Sequence, residues 1–226
     1  MKPHIVVLTG AGISAESGIR TFRDSDGTWE NYRIEEVATP AAWKKDKALV
    51  LEFYNQRRKQ VLEANPNPAH LALVHLETAY NVSIVTQNVD DLHERAGSTS
   101  VLHLHGEIRK ARSTVNPTEI LEITGWQLNP GDTCSKGSQL RPHIVWFGEE
   151  VPALQTAAEL VSTADMLLVI GTSLAVYPAA GLIYDTPPEC QKILIDPNAP
   201  SVSPDFTIIK KQAGTGVPEL VNQLLR

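Results

Sequence analysis

A short apolar segment that leads directly into a glycine-rich turn constrains the fold of this chain more than any other feature. Residues His4–Thr9 read as a buried strand rich in β-branched side chains, and Gly10, Gly12 and Ala15 follow at the spacing G-x-G-x-x-A. Glycines at this spacing let the backbone approach a pyrophosphate closely. The pattern predicts a dinucleotide-binding turn, although a single match of this kind fits an ordinary strand-to-helix turn equally well.

Strands and helices alternate along the rest of the chain. Residues 82–86, 101–104, 141–147, 166–170 and 192–195 read as strands, and residues 46–64, 68–80, 154–164 and 218–225 read as helices. This alternation predicts an α/β fold, a Rossmann-like parallel sheet with helices on both faces. Residues 19–43 read as irregular, and residues 107–140, with several Pro and Gly, read as a small β-rich insert.

Ligands of open α/β sheets bind beyond the carboxyl ends of the strands. That rule selects Gly10, Gln87, His105 and Gly171, which each follow a predicted strand. A dehydrogenase would also place an acidic residue about 20 residues after the turn, at the end of a second strand. Asp24, Asp26 and Glu30 fall in that range but in the irregular segment, so hydride transfer is the weakest enzymatic reading.

Several stretches together carry a family resemblance. They are Thr9-Gly10-Ala11-Gly12-Ile13-Ser14-Ala15-Glu16-Ser17-Gly18-Ile19, Thr21-Phe22-Arg23, Gln87-Asn88-Val89-Asp90-Asp91-Leu92-His93, His105-Gly106, Val145-Trp146-Phe147-Gly148-Glu149 and Gly171-Thr172-Ser173. In this order and over almost the whole chain, they closely resemble the signature of the sirtuin (Sir2) family.

The resemblance implies one catalytic domain over residues 1–226. Its Rossmann-like part would comprise approximately residues 1–30, 80–106 and 141–226, and a small module approximately residues 31–79 and 107–140. NAD would meet an acyl-lysine protein or peptide in the cleft between them. The implied reaction removes the acyl group from lysine and releases nicotinamide and O-acyl-ADP-ribose.

The resemblance also assigns roles to residues. His105 would be the catalytic base, a role that suits imidazole near neutral pH, and Asn88 would assist it. The cofactor would be bound by Gly10, Ala11, Gly12, Ser14, Ala15, Ile19, Thr21, Phe22, Arg23, Trp29, Gln87, Asn88, Asp90, His105, Gly171, Thr172, Ser173, Asp196, Asn198 and Ala213. We expect Asp91 to cap the next helix and His103 to point to the face opposite His105.

The substrate side would be formed by Tyr54, Arg57, Val145, Trp146, Phe147 and Gly148. Tyr54 and Arg57 share one face of a predicted helix, and they match a Tyr-x-x-Arg pair found in sirtuins that remove succinyl and malonyl groups. A guanidinium and a phenol would bind the carboxylate of such an acyl chain. The alternative is a solvated helix face on which Arg57, Arg58 and Lys59 meet water.

The insert departs from the family pattern of two C-x-x-C pairs. Ser113 and Asn116 stand at the first pair, and of the second pair only Cys134 remains, with Gly137 at its partner's position. A single thiolate cannot supply the four ligands of a structural zinc site. The insert is therefore predicted to fold without zinc.

Composition narrows the class of protein further. The net charge of −6 makes nucleic acid an unexpected partner. The two cysteines fit a reducing compartment, and no apolar run reaches the length of a membrane span. We therefore expect a soluble cytoplasmic protein. Mono-ADP-ribosyl transfer and a non-catalytic NAD-metabolite-binding module stay open as alternative functions.

Overall fold

The computed structural model describes residues 2–20, 28–29 and 32–226, with the backbone alone at 28 and 29. The strands are β1 (His4–Thr9), β2 (Thr28–Trp29), β3 (Tyr32–Arg33), β4 (Asn81–Thr86), β5 (Val101–His103), β6 (Gly106–Ser113), β7 (Ile120–Glu122), β8 (Leu140–Ile144), β9 (Met166–Ile170), β10 (Gln191–Ile195) and β11 (Phe206–Ile209). The helices are α1 (Ile34–Val37), α2 (Pro40–Lys45), α3 (Lys47–Glu63), α4 (Pro68–Leu76), α5 (Leu92–Ala96), α6 (Leu154–Val161) and α7 (Ala213–Leu224).

A six-stranded parallel sheet in the order β11-β10-β9-β1-β4-β5 forms the centre of the molecule. Strand β1 is buried on both faces, as its continuous apolar sequence predicts. Ile5 and Val7 pack with α4 and α7 on one face, whereas Val6 and Leu8 pack with α6 on the other. The predicted α/β fold with helices on both faces is confirmed.

The connection of the strands creates a switch point at β1. The chain continues from β1 to β4 on one side and later returns to β9 on the other. The carboxyl ends of β1, β4 and β9 therefore diverge around one crevice, which is where α/β sheets bind ligands.

Several local predictions were wrong. The segment read as irregular contains α1 and α2, and the start of α2 carries a recognisable signal, because the Thr39 side chain caps Ala42 N–H and Pro40 takes the first helical position. Strand β11 was missed, and α7 begins at Ala213 rather than at Pro218.

The small module is built on a three-stranded antiparallel sheet in the order β7-β6-β8. Strand β8 ends at Ile144 and belongs to this sheet, although residues from 141 onward were assigned to the Rossmann-like part. Helix α3 packs against the sheet through Arg58, which is fully buried. Its guanidinium donates to the carbonyls of Ile108 at 2.6 Å and Trp126 at 2.7 Å.

Hydrogen bonds organise the part of the insert around Cys134. The Glu119 carboxylate accepts from the backbone N–H of Ser135 at 2.7 Å and from its hydroxyl at 2.9 Å. Cys134 N–H donates to the Ser138 carbonyl at 2.8 Å. Among the residues that the structure describes, no group of three or more His, Cys, Asp and Glu side chains is arranged to hold a metal ion. The Glu119 carboxylate thus joins the start of β7 to the turn that contains Cys134, and the bond between Cys134 and Ser138 closes that turn.

The described part of the chain also contains no helix with the length and apolar character that a membrane crossing requires.

Two histidines are buried together beneath the sheet. The rings of His70 on α4 and His93 on α5 lie edge to face, with centroids 4.9 Å apart. Asn67 N–H donates to His70 Nδ1, and His93 Nε2 lies 3.1 Å from the Thr9 hydroxyl. Burial lowers the pKa of His70 to about 4, and burial together with the neighbouring histidines lowers the pKa of His93 well below its usual value. Both rings are therefore neutral in the folded protein at neutral pH.

The zinc prediction is checked by metal analysis of purified protein. We expect far less than one zinc per chain, and we expect the melting temperature to stay unchanged in excess chelator, since a chelator destabilises a domain only when a metal contributes to its folding. Stoichiometric zinc, or a chelator-induced loss of melting temperature, would contradict the prediction.

The buried histidine pair predicts loss of stability in mild acid. Because both folded-state pKa values lie below those of the unfolded chain, the unfolded state takes up protons first, and stability declines as pH falls below about 6.5. Each histidine contributes a slope of up to ~1.4 kcal/mol per pH unit. Urea unfolding of the wild type and His70→Gln between pH 7 and 5 measures this slope. We expect a shallower decline for His70→Gln but not for His75→Gln, whose histidine is exposed; parallel curves for all three proteins would refute the assignment.

Candidate active site

A cleft of about 670 Å³ opens at the carboxyl ends of the parallel strands. Gly10 enters it from β1, Gln87 from β4, His105 from the end of β5 and Gly171 from β9. On the opposite side it is bounded by the segment after β8 and by Tyr54 of α3. The structure thus brings together residues that the sequence places more than 150 positions apart.

The floor of the cleft is a contact between two backbone turns. Gly12 N–H donates to the Gly171 carbonyl at 2.8 Å. A Cβ atom added to Gly12 would lie 2.7 Å from Gly171 Cα, and one added to Gly171 would lie 2.4 Å from Ile13 N. Gly171 also has a φ of +63°. Only glycines allow this approach, so the spacing predicted for a dinucleotide turn has a packing reason as well.

Residues 87–90, called the amide loop below, carry polar side chains into the cleft. Asn88 Nδ2 donates to the Ser14 hydroxyl at 3.2 Å, and that hydroxyl donates to Asp90 Oδ2 at 3.0 Å. Leu92 N–H donates to Asp90 Oδ1 at 3.2 Å. Burial, which outweighs these hydrogen bonds, raises the pKa of Asp90 to about 6. At neutral pH its carboxylate is a buried acceptor within the cleft.

The assignment of the helix cap to Asp91 was wrong. Asp90 accepts from Leu92 N–H at the start of α5, whereas Asp91 makes no side-chain cap and pairs with Arg109 at 3.0 Å. The negative charge of Asp91 is thus directed towards β6, where Arg109 lies.

His105 is held in one tautomer by the amide loop. Its Nδ1 lies 2.9 Å from the Gln87 carbonyl, which can only accept, so Nδ1 carries the hydrogen. In the neutral ring Nε2 then holds the lone pair. Burial lowers the pKa of His105 despite that bond, so the ring is neutral and basic at neutral pH. This arrangement suits a general base.

The expectation that His103 points to the face opposite His105 is wrong. Side chains along a strand alternate with a period of two, so residues 103 and 105 share a face and Leu104 occupies the other. His103 Nδ1 lies 3.0 Å from the Asn88 carbonyl. Correct use of the alternation would have placed both imidazoles beside the amide loop.

An aromatic and charged cluster forms the opposite wall. Trp146 Nε1 donates to the Tyr54 hydroxyl at 3.0 Å, and the Arg141 guanidinium stacks 3.3 Å from the centre of the Trp146 ring. Glu149 accepts from Arg141 at 2.6 and 3.0 Å, from Arg112 at 3.1 Å and from Trp146 N–H at 2.8 Å. This network fixes the Trp146 ring, and Phe147 stands beside it, nearly half exposed, in the cleft.

The residues that the sequence assigned to the cofactor and substrate sites divide into three groups. Lining the cleft are Gly10, Ala11, Gly12, Ser14, Ile19, Gln87, Asn88, Asp90, His105, Gly171, Thr172, Ser173, Tyr54, Val145, Trp146, Phe147 and Gly148. Not among its lining residues are Ala15, Arg57, Asp196, Asn198 and Ala213. Thr21, Phe22, Arg23 and the Trp29 side chain lie outside the described residues.

Sequence reasoning missed part of the lining. Residues 175–178 follow the Gly171-Thr172-Ser173 turn into the cleft, and Val151 follows Glu149. The only sequence signal for these residues was their proximity to the assigned motifs.

Among the assigned residues away from the cleft, Asp196 is buried. Its Oδ1 accepts from Asn198 N–H at 2.8 Å, which orders the turn after β10.

Residues 10–178 match the sequence profile of the Sir2 family. The chain belongs to the Sir2 family. It is 58% identical over 198 residues to an NAD-dependent protein deacylase of Aggregatibacter actinomycetemcomitans, covering 88% of this chain and 95% of the relative. It is 50% identical over 229 residues to one of Bacteroides thetaiotaomicron, covering 98% of each chain.

Solved structures of Sir2 proteins agree over nearly the whole chain. A Sir2 homologue mutant in complex with ADP-ribose superposes with a TM-score of 0.92 at 42% identity, covering 99% of this chain and 92% of the other. A Sir2 homologue–NAD complex gives 0.90 at 42% identity, covering 99% and 90%. A Sir2 protein bound to acetylated peptide gives 0.80 at 27% identity, covering 99% and 92%.

NAD is the cofactor of this Sir2 enzyme, and the cleft suits it chemically. The glycine turn keeps side chains away from the cleft floor, where a pyrophosphate needs close backbone approach. The hydroxyls of Ser14, Thr172 and Ser173 and the amides of Gln87 and Asn88 match the hydrogen-bonding groups of ribose.

Proposed function

We propose that this Sir2-family deacylase removes succinyl and malonyl groups, as well as acetyl, from lysine side chains of proteins. Its relatives at 45–58% identity are named NAD-dependent protein deacylases, which supports the general activity. The observation that carries the acidic preference is a buried phenol, Tyr54, held by Trp146 in the cleft wall and followed one helical turn later by a buried guanidinium, Arg57.

The residues of the cleft account for the parts of the reaction that the protein must supply. When bound, NAD supplies the ribose that accepts the acyl group, and nicotinamide is released. His105 Nε2 takes a proton from a hydroxyl, because its Nδ1–H is already engaged by Gln87. The Asp90 carboxylate accepts from a carboxamide N–H, and Asn88 and Gln87 orient hydroxyl groups with their side-chain amides.

Tyr54 is suited to bind an acyl carboxylate as a neutral donor. The side chain is fully buried and lines the cleft. Burial raises the pKa of its phenol strongly, against the opposing effect of the Trp146 hydrogen bond, so the hydroxyl keeps its proton. An ionised phenol would repel a carboxylate, whereas the neutral hydroxyl donates to it.

Arg57 lies next to the cleft rather than on its lining. It borders an adjoining cavity of about 40 Å³ that shares Ile19, Arg20, Val89 and Asp90 with the cleft. Its guanidinium contacts Gln60 Oε1 and stands 5.8 Å from the centre of the Phe53 ring. The proposal requires the Arg57 side chain to turn towards this shared wall to reach an acyl carboxylate.

The alternative of a solvated helix face does not fit α3. Arg57 is 6% exposed and Arg58 is completely buried, and only Lys59 of the three cations faces solvent. Arg58 is engaged by the carbonyls of Ile108 and Trp126 and is structural. Of these three cations, Arg57 is the one that borders the cavity next to the cleft. We further infer acyl-lysine proteins of the cytoplasm as substrates, in keeping with the two free cysteines.

One prediction of the proposed function concerns the base. His105→Ala should keep NAD affinity, measured by calorimetry, and lose turnover of an acetyl-lysine peptide by ~10²–10⁴-fold, because proton transfer is lost while the binding groups stay. His75→Gln, which removes an exposed histidine, serves as the control and should be unaffected. Near-normal turnover by His105→Ala would show that another group is the base.

Another prediction separates acidic from neutral acyl groups. Arg57→Met and Tyr54→Phe should each raise the KM for a succinyl-lysine peptide about tenfold or more, since a charge-assisted hydrogen bond contributes ~1.5–3 kcal/mol. Acetyl-lysine turnover should change little. Lys59→Met is the matched control on the same helix. Equal losses on both peptides would make these side chains scaffold rather than acyl ligands.

The reaction products distinguish deacylation from mono-ADP-ribosyl transfer. Deacylation transfers the acyl group to ADP-ribose and returns free lysine, so mass spectrometry of the products should show an O-acyl-ADP-ribose and an unmodified peptide. A peptide or protein that retains ADP-ribose would favour mono-ADP-ribosyl transfer instead.

A further inference from the structure

His103 connects the amide loop to helix α5 through both nitrogens of its ring. Its Nδ1 lies 3.0 Å from the backbone carbonyl of Asn88, and its Nε2 lies 2.7 Å from Glu94 Oε1. The imidazole is 9% exposed, and the Glu94 side chain is 41% exposed. Neither His103 nor Glu94 lines the cleft, so the pair would act on the reaction only through the loop.

The protonation state of the ring follows from its two partners. A carbonyl oxygen accepts only, and so does an ionised carboxylate, so both ring nitrogens must carry hydrogen for both contacts to hold. Only the imidazolium satisfies that condition. Either neutral tautomer directs a lone pair at one of the two oxygens, and one contact is then lost.

The surroundings favour the charged ring. Burial alone would lower the pKa of His103, but the hydrogen bond and charge of Glu94, with the Asn88 carbonyl and Glu107, outweigh it and raise the pKa. Other charged or titratable groups face the pair. Asp90 and His93 interact with the ring, and Lys110 of β6 contacts Glu107 and faces Glu94.

Other anchors of the amide loop come from strands β4 and β6 and from the glycine turn. Asn88 N–H donates to the Thr86 hydroxyl at 3.0 Å, the Asn88 side chain reaches Ser14, and Ile108 N–H donates to the Val89 carbonyl at 2.8 Å. His103 secures the Asn88 carbonyl, on the peptide unit between these anchors. Its neighbour His105 secures the preceding carbonyl, Gln87.

We propose that His103 and Glu94 are positioning residues for the reaction, and that the ion pair fixes the Asn88 peptide unit relative to the base, His105. The proposal rests on the proposed function for its activity readout. Loss of the pair would let the Asn88 side chain move within the cleft, and small displacements of reacting groups lower turnover steeply.

The kinetic experiment compares His103→Leu and Glu94→Gln with the wild type and with the control His75→Gln. We expect kcat for an acetyl-lysine peptide to fall about tenfold or more in His103→Leu, while the KM for NAD changes less than about twofold and the melting temperature shows a folded protein. In Glu94→Gln the alkaline limb of the kcat–pH profile should move about one pH unit lower, because the ring loses its anionic partner. Unchanged kcat in both variants, or a pH profile unmoved in Glu94→Gln, would overturn the proposal.

A spectroscopic experiment tests the same contact without activity. In the wild type, NMR should show a doubly protonated His103 ring at pH 7, and the amide nitrogen of Val89, whose peptide bond includes the Asn88 carbonyl, should titrate with it. In Glu94→Gln both titrations should move together to lower pH. A neutral ring at pH 7, or a Val89 signal that ignores the titration, would refute the proposal even if the protein had no deacylase activity; absence of wild-type turnover alone would refute the proposed function instead.

Discussion

The contact between the turns after β1 and β9 is the constraint on which the site depends. Gly12 and Gly171 meet backbone to backbone, with no space for a Cβ atom on either residue. Because the turns touch, the hydroxyl of Ser14 reaches beneath the amide loop that follows β4 and holds both Asn88 and Asp90. One close approach between two strand ends thus places side chains from three separate parts of the chain around a single cleft.

Much of the architecture was predictable because its signals are local. Strands β1 and β9 are continuous apolar runs bounded by glycine, and burial on both faces demands that composition. Strand β11 was missed although three of its four residues are apolar, because a segment of four residues interrupted by Thr207 is too short to show a strand pattern. The motif residues at the strand ends were found through the resemblance, and the topology explains why they converge.

The parts that could not be predicted depend on contacts between distant residues. Nothing local to α3 indicates that Arg57 borders a side cavity while Arg58 reaches the carbonyls of Ile108 and Trp126. The ion pair of His103 with Glu94 joins a strand to a helix, and neither residue belongs to a motif that was given a role. The raised pKa of Asp90 likewise arises from burial, which only the folded chain creates.

The Glu149 network links helix α3 to strand β8. Tyr54 bonds to Trp146, Trp146 stacks on Arg141, and Arg141 is held by Glu149, whose other partners include the backbone of the segment that bounds the cleft. Tyr54 and that wall are thus linked through one network of contacts. Substitutions at Tyr54 and Arg141 should therefore combine non-additively, so the effect on the cleft wall of a change in α3 depends on the residues present in β8.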